Sequence, residues 1–133
     1  MTTTIKTPIQ VIQEIIAIHT TRKEVVQKLK EFTSRIDGLP AAEKQSDEFI
    51  AALLNELSNY GDGVSPMVDR DNEYQQTWKN ALSTIDTATV DEQKELFLSM
   101  EKKLKEFYND ILKTQKDLPP STIEILHKQN KLL

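Results

Sequence analysis

Cysteine is absent from the 133-residue chain. That removes thiolate metal sites, cysteine nucleophiles and disulfide frameworks, and it leaves the redox compartment open. Arginine is nearly absent too: Arg22, Arg35 and Arg70 stand alone among lysines. The 17 basic and 21 acidic residues give a net charge of −4, and Lys and Glu alternate along the chain instead of clustering. Such a pattern suits a solvated helical surface and offers nucleic acid no basic face. No run reaches the ~18 apolar residues of a membrane helix. The opening MTTTIKTP lacks an apolar stretch with a small-residue cleavage site, so a cytoplasmic protein that neither enters nor crosses a membrane is expected. Motifs of catalysis are missing as well: there is no Gly-rich phosphate loop, no nucleophile elbow and no Ser/His/Asp arrangement.

Glycine (38, 61 and 63) and proline (8, 40, 66, 119 and 120) are few, and all eight fall where the apolar periodicity breaks. This is the punctuation of a helical chain with few turns. Thr7 and Pro8 begin a first helix, predicted to run to Ile36, where Asp37-Gly38 ends it with a left-handed glycine. Its apolar stripe Val11, Ile15, Ile18, Arg22, Val25, Leu29, Phe32 and Ile36 is widened by Ile12, Ile16, His19, Lys23 and Val26. Pro40 opens a second helix to about Asn59, with Phe49, Ile50, Leu53, Leu54 and Leu57 inward. Ser65-Pro66 opens a third, to about Ile85, with Tyr74, Trp78, Ala81, Leu82 and Ile85 inward. Thr89 and Glu92 form a capping box for a fourth. Its stripe is Phe97, Met100, Leu104, Phe107 and Ile111, joined by Leu96, Tyr108 and Leu112, and it ends before Leu118-Pro119-Pro120. Ser121 and Glu124 are expected to form a second capping box and start a short fifth helix carrying Ile125 and Leu126.

The expected fold is therefore all-α: an antiparallel up-down-up-down four-helix bundle with a short C-terminal fifth helix. One domain is expected over residues 1–133, with residues 1–7 a flexible N-terminus. A chain of this size buries roughly two-thirds of its unfolded surface and needs no staple.

Chemistry has few candidates. Glu124 and His127, three apart in EILH, share one helical face, as half of a di-iron bundle's ligand set does. The chain has two histidines, and only His127 has Glu at that spacing. Glu14 and His19 are about 140° apart around a helix and cannot face one metal together. Asp69-x-Asp71-x-Glu73 carries Tyr74 where a calcium loop requires Gly, which leaves an acidic helix start. His19 lies within an apolar stripe, as a hydrogen-bonded core histidine would, and Trp78 and Met100 read as core. No catalytic residue, metal ligand or cofactor is assigned.

At Trp78–Leu82 (WKNAL) and Leu118–Gln129 (LPPSTIEILHKQ) the chain resembles an uncharacterised bacterial ferritin-like four-helix-bundle family of unknown function. The resemblance spans Val11 to Gln129: a long first helix, a glycine-bearing loop before the third, a Trp in the third and a Leu-Pro tail helix. Gly61-Asp62-Gly63 stands where the family has adjacent glycines. The resemblance implies a bundle, a bacterial cytoplasmic setting and a stress-associated role. It implies no reaction, because fold does not carry function and the ferritin iron ligands are not in this sequence.

A non-enzymatic bundle protein acting through protein contacts is the resulting expectation. The alternative is a metal-binding, di-iron-type oxidoreductase built from carboxylates with His19 or His127. Val11, Ile12, Ile15, Ile16 and Ile18 exceed the ~3 apolar positions in seven that one bundle helix uses, so the fifth helix or a second copy of the chain, a homodimer, is expected to cover the excess.

Overall fold

The computed structural model describes residues 7–32, 35–61, 73–115 and 117–133. Five helices make up the described chain: α1 (Pro8–Phe32), α2 (Leu39–Ser58), α3 (Glu73–Thr84), α4 (Val90–Thr114) and α5 (Pro120–Leu132), with a 3₁₀ turn at Ile85–Thr87 between α3 and α4. The expected Ser65-Pro66 helix start, the acidic Asp69-x-Asp71 stretch and the N-terminal residues 1–6 lie outside the described residues, as does the side chain of Trp78.

Local chemistry explains the helix ends. Thr7 accepts from the Gln10 amide at 3.2 Å while the Gln10 side chain accepts from the Thr7 amide at 3.0 Å, a reciprocal cap that frees Pro8 for the first helical position. Gly38 adopts φ 88°, a left-handed turn that reverses the chain into α2. Gly61, at φ 129°, marks the break after α2. The Thr89–Glu92 capping box forms with both bonds present. Those bonds also hold the Glu92 carboxyl below its ordinary range, the Thr89 backbone amide contributing most.

The second expected capping box does not form. Pro119 is the N-cap of α5 and Pro120 its first residue, and no side chain caps the helix. Proline's fixed φ suits that first position, so the N-cap falls at Pro119, two residues before Ser121. Thr122 thereby falls inside the first turn and its hydroxyl faces the interior. Glu124 instead pairs with Lys128, 3.4 Å away on the exposed face.

The helices do not surround the core in chain order. α1 packs on α2 and α3, α3 on α4, α4 on α5, and α5 back on α2. Side-chain pairs fix directions: His19 meets Phe49 and Arg22 meets Ser46, so α1 and α2 are antiparallel. Phe49 meets Gln129 and Glu56 meets Thr122, so α2 and α5 are antiparallel. His19 meets Tyr108 and Arg22 meets Glu101, so α1 and α4 are antiparallel. Thus α1, α2, α5 and α4 alternate in direction around a common interior, and α3 wedges between α1 and α4. α5 occupies the bundle position that chain order gives to the third helix.

The core joins Ile12, Ile15, Ile18, Val25 and Leu29 of α1 with Leu53 and Leu57 of α2, Ile85, and Phe97, Met100, Leu104 and Ile111 of α4. Leu126 is its contribution from α5. Val11, Ile12, Ile15, Ile16 and Ile18 are all buried within the chain itself. Tyr108 rather than Phe107 takes the deepest place on α4, and Leu54 turns outward at 40% exposure.

Candidate functional site

The apolar stripes carry polar passengers, and the bundle brings them together. On α1, His19 and Arg22 sit one turn apart and both are buried. α2 brings Ser46 and Glu56, α4 brings Tyr108, and α5 brings Thr122 and Gln129, all of them buried. A buried polar group without a partner costs on the order of 1–3 kcal/mol. The arrangement of these seven is therefore a question of which donor meets which acceptor.

One chain of bonds crosses all four helices. His19 Nε2 lies 2.7 Å from the Tyr108 hydroxyl, Tyr108 donates to Gln129 Oε1 at 2.6 Å, and Gln129 Nε2 donates to the Phe49 carbonyl at 3.2 Å. Its polarity follows from the far end. The Phe49 carbonyl only accepts, so the Gln129 nitrogen faces it and the Gln129 oxygen faces Tyr108. The single Tyr108 proton is thereby spent on Gln129, and His19 Nε2 must be the donor to Tyr108. His19 is thus held as the Nε2–H tautomer, with a bare lone pair on Nδ1 that has no hydrogen-bond partner. The ring also packs edge-on against Phe49, centroids 5.2 Å apart. Burial first, and then the Arg22 charge, push the His19 pKa well below its ordinary value, so the ring is neutral near pH 7.

A second cluster lies one turn along α1. Arg22 forks onto Glu101, with Nε 2.9 Å from Oε2 and an Nη2 bond to Oε1, and it donates further to Gln45 at 2.8 Å and Ser46 at 3.3 Å. Gln45 in turn donates to the Leu132 carbonyl at the end of α5 at 3.0 Å. The planar fork explains why arginine, so rare here, stands at this place.

The third cluster joins α2 to the start of α5. Thr122 donates to Glu56 Oε2 at 2.9 Å, Asn59 donates to Glu56 Oε1 at 2.8 Å, and the Tyr60 hydroxyl lies 2.8 Å from the Thr122 oxygen. Because Thr122 spends its one proton on Glu56, Tyr60 is the donor to Thr122. Burial alone raises the Glu56 pKa. The bonds from Asn59, Thr122 and Ser121 outweigh it, so the carboxyl stays below its ordinary range and ionised.

In chemical terms the His19 Nδ1 lone pair is a base, and the ring is wholly buried against Phe49 of α2 and Tyr108 of α4. Glu124 and His127 both lie on the exposed side of α5. Among the described residues no three of His, Asp and Glu gather where one metal ion would bind. Also among them, no helix is long and apolar enough to cross a membrane. Of the polar residues that converge, the sequence pointed to His19 as a hydrogen-bonded core histidine. Its partner Tyr108 was placed only in a helix margin. Arg22 was legible as a charge standing in an apolar stripe, a signal that asks for a buried counter-ion. Ser46, Glu56, Thr122 and Gln129 carried no sequence signal beyond sitting at helical spacing from apolar neighbours.

At the surface, Glu48, Phe49, Ala52 and Asn55 of α2 and Ile125, Lys128, Gln129 and Leu132 of α5 line an open groove of about 380 Å³, with Glu48 on the α2 side and Lys128 on the α5 side.

Fold and site together define a small all-helical protein with a polar layer sealed inside. Comparison of the chain with known protein families, with curated proteins and with solved structures finds no match, and no family is assigned.

Proposed function

We propose that this is a non-enzymatic helical-bundle protein that works through its helix faces, first of all with a second copy of itself. The observation that carries the reading is the groove between α2 and α5. Its walls are apolar, Leu132 beside it is 66% exposed, and its rims bear opposite charges. A two-fold axis over such a groove sets Glu48 of each copy against Lys128 of the other, the self-complementarity that an isologous interface needs. Support for a non-catalytic role comes from the interior, where the polar side chains bind one another and tie helices together.

A ferritin-like ancestry belongs to the same proposal. Its support is the alternation of α1, α2, α5 and α4 around a mid-length polar layer, the place where ferritin-like bundles carry their ligands. A protein that acts through association rather than iron chemistry should neither bind stoichiometric Fe(II) nor speed its oxidation by oxygen.

Light scattering on a sizing column tests the association. The expected mass at micromolar concentration is twice the 15.3 kDa of the chain, falling to one chain for Ala52→Arg with Leu132→Glu. A single-chain mass throughout the range rejects the dimer.

A further inference from the structure

α5 is attached unlike the other helices. Its inward face is Thr122, Leu126 and Gln129, spaced four and three, so two of its three buried residues are polar. α1 by contrast buries Val11, Ile12, Ile15, Ile16, Ile18, Val25, Val26 and Leu29. Apolar burial is non-directional and survives small rearrangements, whereas a hydrogen bond holds only while donor and acceptor keep their protonation states. α5 therefore depends on the state of the groups it bonds to.

The bond chain from α1 makes that state titratable. Gln129 of α5 is held by Tyr108, whose oxygen is in turn held by the Nε2–H of His19. His19 is closed in on every side. From α2 comes the Phe49 ring, which bears no charge, and beyond Tyr108 stands Gln129 of α5, also uncharged. From α4 comes Tyr108, and within α1 the charge that bears on the ring is Arg22, already forked onto Glu101 of α4. A proton added at Nδ1 would meet no acceptor, since that atom has none, and would place a second cation beside Arg22. Protonation is thus incompatible with the closed arrangement. The ring must reach water, and of the helices tied to it by this chain of bonds α5 is held with the least apolar burial.

We propose that α5 is an acid-released cover, held shut by the neutral, Nε2-protonated form of His19 acting through Tyr108 and Gln129. Release bares the groups of α2 and α4 that Gln129 bonds in the closed form, the Phe49 carbonyl and the Tyr108 hydroxyl. The proposal stands on the interior bonds and does not rest on self-association.

Hydrogen exchange read by mass spectrometry, corrected for the intrinsic pH dependence of amide exchange, tests it. An opening that exposes a histidine of ordinary pKa, about 6.5, grows by up to roughly thirtyfold between pH 7.5 and pH 5.0. Peptides covering 120–132 should accelerate on that scale and exchange well ahead of those covering 10–29 and 42–57 at both pH values, because the latter open only with the whole fold. His19→Gln keeps an N–H donor for Tyr108 and does not titrate in this range, so its α5 should exchange at one corrected rate at both pH values. Gln129→Leu, which cuts α5 from the chain of bonds, should exchange at pH 7.5 as fast as the unaltered protein does at pH 5.0, and so serves if His19→Gln does not fold. The proposal is overturned if 120–132 accelerate less than threefold in the unaltered protein, if α1 and α2 exchange at the same corrected rate as them at pH 5.0, or if Gln129→Leu keeps full protection and the original pH response.

Discussion

Thr122 and Glu56, 66 positions apart in the chain, form a buried 2.9 Å hydrogen bond that joins the first turn of α5 to the last turn of α2. The carboxylate gains one of its few donors there, and the hydroxyl gains its only outlet for a proton. Thr122→Val keeps the shape and removes the donor, and it should lower stability by about 1–3 kcal/mol, the cost of leaving a buried acceptor unsatisfied. Urea unfolding followed by circular dichroism reads this. A change below half a kcal/mol means that Glu56 finds water instead.

Acid should weaken the fold in two separate windows. The folded His19 pKa is depressed, so the unfolded chain takes up a proton first. Stability is then full above about pH 6.5 and falls as pH drops below it, with a slope of at most about 1.4 kcal/mol per unit. Glu56 is also depressed, and its contribution is present above its unfolded value and lost as pH falls through the folded one, a more acid range. Urea midpoints between pH 8 and pH 5 should therefore slope for the unaltered protein and stay level for His19→Gln. Equal slopes in the two proteins would remove His19 from the account.

Arg22→Ala strips three partners at once, Glu101, Gln45 and Ser46. Breaking a buried ion pair typically costs 3–5 kcal/mol, and because Glu101 keeps a quarter of its side chain in water the expected loss is near the low end, about 3 kcal/mol. Arg22→Lys retains the charge without the fork and should recover only part of it. Full recovery by lysine in thermal unfolding would show that charge alone matters here.

Two neighbouring leucines on α2 give a contrast free of electrostatics. Leu53 is wholly buried and Leu54 is 40% exposed. Leu53→Ala should cost about 2–5 kcal/mol and Leu54→Ala under about half a kcal/mol. Comparable losses in side-by-side denaturant curves would mean that α2 is rotated from the arrangement described.

Glu124→Gln removes a carboxylate from the exposed Glu124–Lys128 pair. Exposed pairs of this kind contribute little, so the unfolding midpoint should not move. Iron or zinc that copurifies with the unaltered protein and is lost from Glu124→Gln, measured by elemental analysis, would return the His127 face to consideration as a metal site.

Helices were the legible part of this sequence, because period and punctuation act locally. Thr7 and the Thr89–Glu92 box mark their boundaries with residues whose chemistry is completed within three positions, whereas Gly38, expected to end a first helix reaching Ile36, is the N-cap of α2, and α1 ends at Phe32. The failure at Ser121–Glu124 has the same local origin, since two prolines compete with a capping box for one helix start and the prolines prevail. Helix order around the core was not legible. Up-down-up-down packing follows from short loops, and nothing local tells α5 from α3 as the fourth wall. The polar layer was hidden for a related reason. A glutamine on an inward face looks like a surface residue until the helix carrying Tyr108 is known to stand opposite it.

The alternation of α1, α2, α5 and α4 bears on how the chain comes together during synthesis. Residues 7–115 include three of those four helices, yet Glu56, the Phe49 carbonyl and Tyr108 all wait for bonding groups from positions 122 and 129. Until those positions leave the ribosome, these groups of α2 and α4 lack their α5 partners. Contacts spanning 66 to 80 residues are slow to form, and groups that wait for them are where a nascent helical chain is most exposed to mispairing. The wall carrying positions 122 and 129 is thus made after the three helices it closes upon.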